Sequence, residues 1–146
     1  MSQRVSYYQI ASDGLKNMLE MEKYIKTTAI ERKLRELINI RVSQINSCAY
    51  CLNIHTADAR KIGETEQRIY CVSAWQECEF YTEAEKALEL AEHVTLIPTK
   101  RVPEELYHRV RAHYDEKQYV DLILIINQIN SWNRISISMG NIATEK

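Results

Sequence analysis

The sequence predicts an all-α fold, a helical bundle of about six to seven helices built on an antiparallel helical hairpin. Three observations lead there. The 146 residues include only three glycines and two prolines, so little in the chain breaks a helix. Apolar residues recur at helical spacing over long stretches, and those stretches open and close on residues that cap helices. The length suits one domain, residues 1–146, with a core spanning about 30 to 135.

Ser12 and Asp13 are N-cap types, and Leu15, Met18, Leu19, Glu22 and Ile25 then follow at helical spacing, giving a first helix to about Thr28. In a second helix, Ala29 to Ile45, one stripe carries Leu34, Leu37, Ile38, Val42 and Ile45, with Arg32, Arg35 and Asn39 off it. After Asn46, Ser47 reads as the N-cap of a third helix that runs to about Ile62. It stops at Gly63, a residue able to take the left-handed C-cap conformation. Cys48 would then lie in its first turn. Thr65 opens a fourth helix through Ile69, Val72 and Trp75. Thr82 with Glu85 forms a capping box for a fifth that ends before Pro98, and Pro103 suits the first turn of a sixth. The last segment, Glu116 to about Met139, contains β-branched stretches at Leu122 to Ile126 and Ile135 to Ile137. It runs so far without glycine, proline or a hairpin signal that helix is favoured over strand.

Formal net charge is -1, and no basic run or stripe appears, which argues against a nucleic-acid partner. The strongest apolar run, Tyr119 to Ile129, is interrupted by Asp121, Asn127 and Gln128 and is too short and polar to span a bilayer. Gln3, Arg4 and Gln9 deny Met1 to Ile10 the continuous apolar stretch of a signal peptide, so the expected location is the cytoplasm.

In a cytoplasmic chain of this size, four cysteines are not a disulfide scaffold. Cys48 and Cys51 form a C-x-x-C pair, whereas Cys71 and Cys78 lie in no motif and read as structural. A cysteine in a helix's first turn feels the positive end of the macrodipole, which favours the reactive thiolate. Two intervening residues leave the sulfurs about one turn apart, so one can attack an oxidant and the other can close a disulfide. His55 stands four residues beyond Cys51, on the same helix face. A hairpin around Asn46 would place Glu36 and His55 equally far from the turn, on the order of 14 Å, and therefore side by side. Glu36 also falls near the Leu34, Leu37 and Ile38 side of its helix, where partial burial suits a carboxylate acting as a base. Taken singly, Glu36 reads equally as a solvated helix residue and His55 as a hydrogen-bonded core histidine; their convergence on the cysteine pair favours chemistry. Zinc held by Cys48, Cys51 and His55 is the structural alternative, but the usual second ligand pair is missing. Haem attachment is excluded because Leu52 follows Cys51.

The stretch Arg35 to Ile62, RELINIRVSQINSCAYCLNIHTADARKI, resembles the core of the carboxymuconolactone decarboxylase superfamily, in its alkylhydroperoxidase AhpD-like branch. Glu36, Cys48, Cys51 and His55 match the branch's E, C-x-x-C-x-x-x-H pattern, and GETEQRIYCVSAWQ and INSWNR extend the likeness from Leu34 to Asn133. The resemblance implies an all-α fold and a homo-oligomer, trimer or hexamer. It also implies that Cys51 attacks a hydroperoxide, that Cys48 resolves it as a disulfide, and that Glu36 and His55 relay protons. A dithiol, lipoyl or thioredoxin-like, would restore the thiols, with no metal and no cofactor. The electrostatic argument points the other way for the cysteines, since Cys48 lies nearer the helix terminus; His55 beside Cys51 offers a reason for the exception. Two departures stand out: Tyr50 occupies the position of a histidine in AhpD, and a duplicated helical half is lacking. The competing expectations are a general disulfide oxidoreductase, a non-catalytic redox sensor and, less favoured, a lactone decarboxylase or zinc-binding protein. Trp75 and Trp132 read as core residues, with a substrate pocket as the alternative.

Overall fold

A computed structural model describes residues 3–145; Met1, Ser2 and Lys146, which the expected domain span includes, lie outside it. The described residues form nine α-helices and no strand. They are α1 (Tyr7–Ile10), α2 (Ser12–Thr27), α3 (Arg32–Ile45), α4 (Ala49–Lys61), α5 (Glu66–Cys71), α6 (Leu88–Thr95), α7 (Ile97–Lys100), α8 (Glu104–Arg111) and α9 (Glu116–Met139). Short 3-10 helices at Val72–Glu77 and Ala84–Ala87 join the middle elements. The single turns α1 and α7 have no counterpart in the sequence pattern, because four residues carry no periodicity.

Helix α3 runs through the middle of the bundle and packs on α4, α6 and α9. Surrounded on several sides, it buries more than the expected stripe: Ile40, off that stripe, is as inaccessible as Leu37, Ile38 and Val42. Each such side chain contributes about 1.5–3 kcal/mol relative to exposure. Helix α3 begins at Arg32 rather than Ala29 because Ile30 is drawn into the core while Thr28 and Glu31 take extended backbone. The fourth expected helix tightens at Val72, where Ala74 leaves helical geometry. A 3-10 helix aligns i and i+3, which lets Val72 and Trp75 both face inward.

Thr82 and Glu85 form the expected reciprocal box: the Thr82 amide donates to Glu85 Oε2 at 2.7 Å, and the Glu85 amide donates to Thr82 Oγ1 at 3.2 Å. Helix α9 has its own box, with the Gln118 amide donating to Asp115 Oδ1 and the Asp115 amide to Gln118 Oε1. It ends on Gly140 in the left-handed region, φ 72°. Leu122, Ile125, Ile126 and Ile129 of α9 are buried in the chain's own core. Against α2, Asp121 accepts from Tyr24 Oη and Lys117 Nζ, and Glu22 Oε1 accepts from Gln128 Nε2 and Trp132 Nε1. No helix among the described residues is long and apolar enough to cross a membrane.

Candidate active site

The site is built on the sharp turn between α3 and α4. The Cys48 amide donates to Ser43 O at 2.9 Å and the Ser47 amide to Gln44 O at 3.1 Å, the paired bonds of a Schellman helix end. Ser47 sits at its left-handed position with φ 55°, a place usually given to glycine. Ser47 therefore terminates α3 rather than capping α4, and Cys48 itself is the N-cap of α4, so the helix begins one residue later than expected. Cys51 lies within α4's first turn.

Polar side chains from α9 fix this turn. Asn46 Nδ2 donates to both Asn130 Oδ1 and Asn133 Oδ1 at 2.9 Å, and Asn133 Nδ2 donates to Ser43 Oγ at 3.0 Å. Asn130 Nδ2 continues to Thr95 Oγ1 on α6. Asn133 is fully buried, and its side chain lies close to the Cys48 thiol. Partners for every buried amide atom make such a cluster rigid rather than costly.

Both cysteines are free and almost inaccessible, and their sulfurs stand 2.6 Å apart, closer than non-bonded thiols pack and near disulfide-forming range. Burial, reinforced by the neighbouring Cys51 sulfur, pushes the Cys48 thiol up to about 12. Loss of hydration thus acts on the Cys48 thiol against the macrodipole's partial charge, the feature on which the expectation of an acidic Cys48 rested.

One turn beyond Cys51, His55 Nδ1 lies 2.9 Å from Glu36 Oε2 across the hairpin. Their side chains are 20% and 15% exposed, so the contact is substantially shielded from water. A carboxylate accepts, so it holds the proton on Nδ1 and leaves the Nε2 lone pair free. Asn39 makes a longer contact, 3.4 Å, to the same ring nitrogen.

Glu36, Asn39 and His55 line a cavity of about 600 Å³ between α2, α3, α4 and α9; the two sulfurs do not. Ile25, Ile129 and Trp132 supply apolar wall. Of the two tryptophans, Trp132 thus lines the cavity, while Trp75 is core, its indole N–H donating to Glu92 Oε1. Asp58, one turn beyond His55, brings its carboxylate near Glu36 and His55, and the three could offer ligand atoms within 4.8 Å of one another to a cation. That set differs from the zinc reading, which used the cysteines. Cys71 and Cys78 are half-buried at either end of the first 3-10 helix; burial and the neighbouring Cys71 thiol push Cys78 up.

The structure thus brings together the residues that the spacing singled out, in two contacts: sulfur with sulfur, and Glu36 with His55. Sequence reasoning missed Asn39, Asn46, Asn130, Asn133 and Asp58. A signal existed for the α9 pair, since Asn130 and Asn133 fall on the same helix face as Ile126 and Ile129 and cannot be buried there without partners.

Comparison with known proteins agrees with this architecture. Residues 13–93 match the model of the carboxymuconolactone decarboxylase family. Uncharacterized protein YdfG of Bacillus subtilis is 71% identical over 147 residues, covering 100% of both chains. The structure of ATU0492 from Agrobacterium tumefaciens, a protein of unknown function assigned by its name to AhpD antioxidant defence, superposes with a TM-score of 0.94. It is 31% identical and covers 99% of this chain and 100% of that one. A peroxidase-related protein from Ralstonia eutropha, described as an alkylhydroperoxidase AhpD core, shares the fold at TM-score 0.82 with 18% identity, over 94% of this chain and 74% of its own. The chain belongs to the carboxymuconolactone decarboxylase family, in its AhpD-like branch.

Proposed function

We propose that this chain is a thiol peroxidase that reduces hydroperoxides through Cys51 and Cys48, with His55 and Glu36 moving the protons. The observation that carries the reading is the juxtaposition of a 2.6 Å sulfur pair and a 2.9 Å carboxylate–imidazole pair one helical turn apart on α4. Neither pair alone implies peroxide chemistry. Together they supply a nucleophile, a resolving thiol and a proton path.

In the proposed cycle, His55 Nε2 takes the Cys51 proton while Glu36 stabilises the imidazolium that forms. The Cys51 thiolate attacks the terminal peroxide oxygen; the O–O bond breaks, and His55 returns the proton to the departing alkoxide or hydroxide. Cys51 is left as a sulfenic acid. The Cys48 thiol then attacks that sulfur, expelling water and forming the disulfide. The sum is ROOH plus two thiols giving ROH, water and one disulfide. An external dithiol, lipoyl or thioredoxin-like, restores the pair by exchange. Burial of Cys48, which keeps its thiol protonated, supports its role as resolver rather than attacker. A homo-oligomer, trimer or hexamer, goes with this reading; Ile10 and Leu19, exposed on α1 and α2, offer apolar surface for it.

Peroxide consumption in the presence of dihydrolipoamide or thioredoxin tests the proposal. Many turnovers per chain are expected. Stoichiometric oxidation without turnover would favour a redox sensor, turnover of disulfides without peroxide reduction would favour a general oxidoreductase, and either would overturn the peroxidase reading.

A further inference from the structure

The cavity that meets Glu36 and His55 is electrostatically uneven. Its three acids are engaged: Glu36 with His55, Glu22 with Gln128 and Trp132, and Asp58 with Lys61. Its three cations, Lys26, Arg32 and Arg35, have no carboxylate within 4.0 Å among the described residues. Arg35 is the most telling. Its Nη1 donates to Ile25 O at 2.9 Å, while its Nε is buried with no hydrogen-bond partner among the described residues. A buried donor left unsatisfied costs about 1–3 kcal/mol. The Nε edge of a guanidinium is the edge that a carboxylate can take with two parallel hydrogen bonds.

The placement of these cations adds to the argument. Arg32 and Arg35 lie at the N-terminal end of α3, a helix of 14 residues whose N-cap, Glu31, makes no side-chain capping bond and whose first turn holds no acid. Cations there oppose the macrodipole, and an anion bound among them would be attracted by both. Ile25, Ile125, Ile129 and Trp132 line the same space, so a purely inorganic anion would leave its apolar wall unused.

We propose that this cavity binds an amphipathic organic carboxylate, with Arg35 pairing its carboxylate, Arg32 and Lys26 adding attraction, and its hydrocarbon part lying against Trp132 and the isoleucines. Resting on the peroxidase reading above, this names the substrate class: an organic hydroperoxide that carries a carboxylate, delivered beside Glu36 and His55. Binding alone involves no thiol, so the two readings can fail separately.

The test is calorimetric titration of the reduced protein with octanoate and, as a neutral control of equal length, octanamide. Octanoate is expected to bind once per chain, at least about tenfold more tightly than the amide. Arg35→Gln should weaken octanoate about tenfold or more and leave the amide unaffected. Because Arg35 also holds the Ile25 carbonyl, the exposed Arg32→Gln and Lys26→Gln serve as variants that keep the fold; each should weaken octanoate roughly two- to fivefold, an effect lost at high salt. Equal affinity for acid and amide, absence of octanoate binding, or indifference to all three substitutions would overturn the carboxylate site. A chain that binds octanoate as described but leaves hydroperoxides intact would keep the site and overturn the peroxidase.

Discussion

Replacing Glu36 by Gln removes one negative charge while keeping an oxygen able to accept from His55 Nδ1–H. If the carboxylate stabilises the imidazolium formed when His55 takes the Cys51 proton, its loss can be sized from the geometry. The hydrogen-bonded atoms are 2.9 Å apart. Charge centres at about 4 Å in an effective dielectric of about 20 interact by about 4 kcal/mol. Residual solvent exposure of both side chains and the hydrogen bond that Gln retains reduce this to about 2.7 kcal/mol, a rate loss of about 10². Stopped-flow oxidation of the thiols by hydrogen peroxide reads it directly. His55→Ala should slow the reaction at least as much, and the double variant should lose little beyond His55→Ala, as expected of residues acting in series. A Glu36→Gln rate within twofold of wild type across neutral pH would remove Glu36 from the mechanism and leave the cysteine pair untouched.

Other expectations follow from the turn that carries the cysteines. Ser47→Gly relieves a side chain held at φ 55° and should raise stability by about 0.5–1 kcal/mol in urea denaturation. Asn133→Leu strands Asn46 and Ser43 from a buried partner and should cost about 1–3 kcal/mol, read the same way. The Cys48 thiol, pushed up to about 12 by burial, should make stability fall as pH rises from its ordinary 9.0 toward that value. In that window the unfolded chain releases a proton that the folded chain keeps, whereas below it both keep the proton. Denaturation at about pH 8 and about pH 10 should show this loss in wild type and a smaller one in Cys48→Ala.

The long helices were legible because their information is local: periodicity within α2, α3, α4 and α9, and caps such as Thr82, whereas the Asp115 box of α9 emerged only in the structure. The pairing of Glu36 with His55 was also legible, since a tight hairpin fixes which residues face each other at equal distance from its turn. What depended on a third element was not. Ile40 and Arg35 both fall off the apolar stripe of α3, on different sides of the helix, yet Ile40 is buried and the Arg35 Nε is inaccessible, because α3 is packed against by several other helices. The fate of Cys48 was hidden for the same reason. Its place at a helix terminus is a sequence property, whereas its dehydration beneath Asn133 of α9 arises only when the bundle closes.

The measurement that bears most directly on a peroxide-reducing cysteine pair is peptide mapping of the protein after one equivalent of hydrogen peroxide. The proposed cycle gives a Cys48–Cys51 disulfide, with Cys71 and Cys78 recovered as thiols although they are neighbours. A dominant Cys71–Cys78 bridge, or four thiols left intact while peroxide persists, would contradict it.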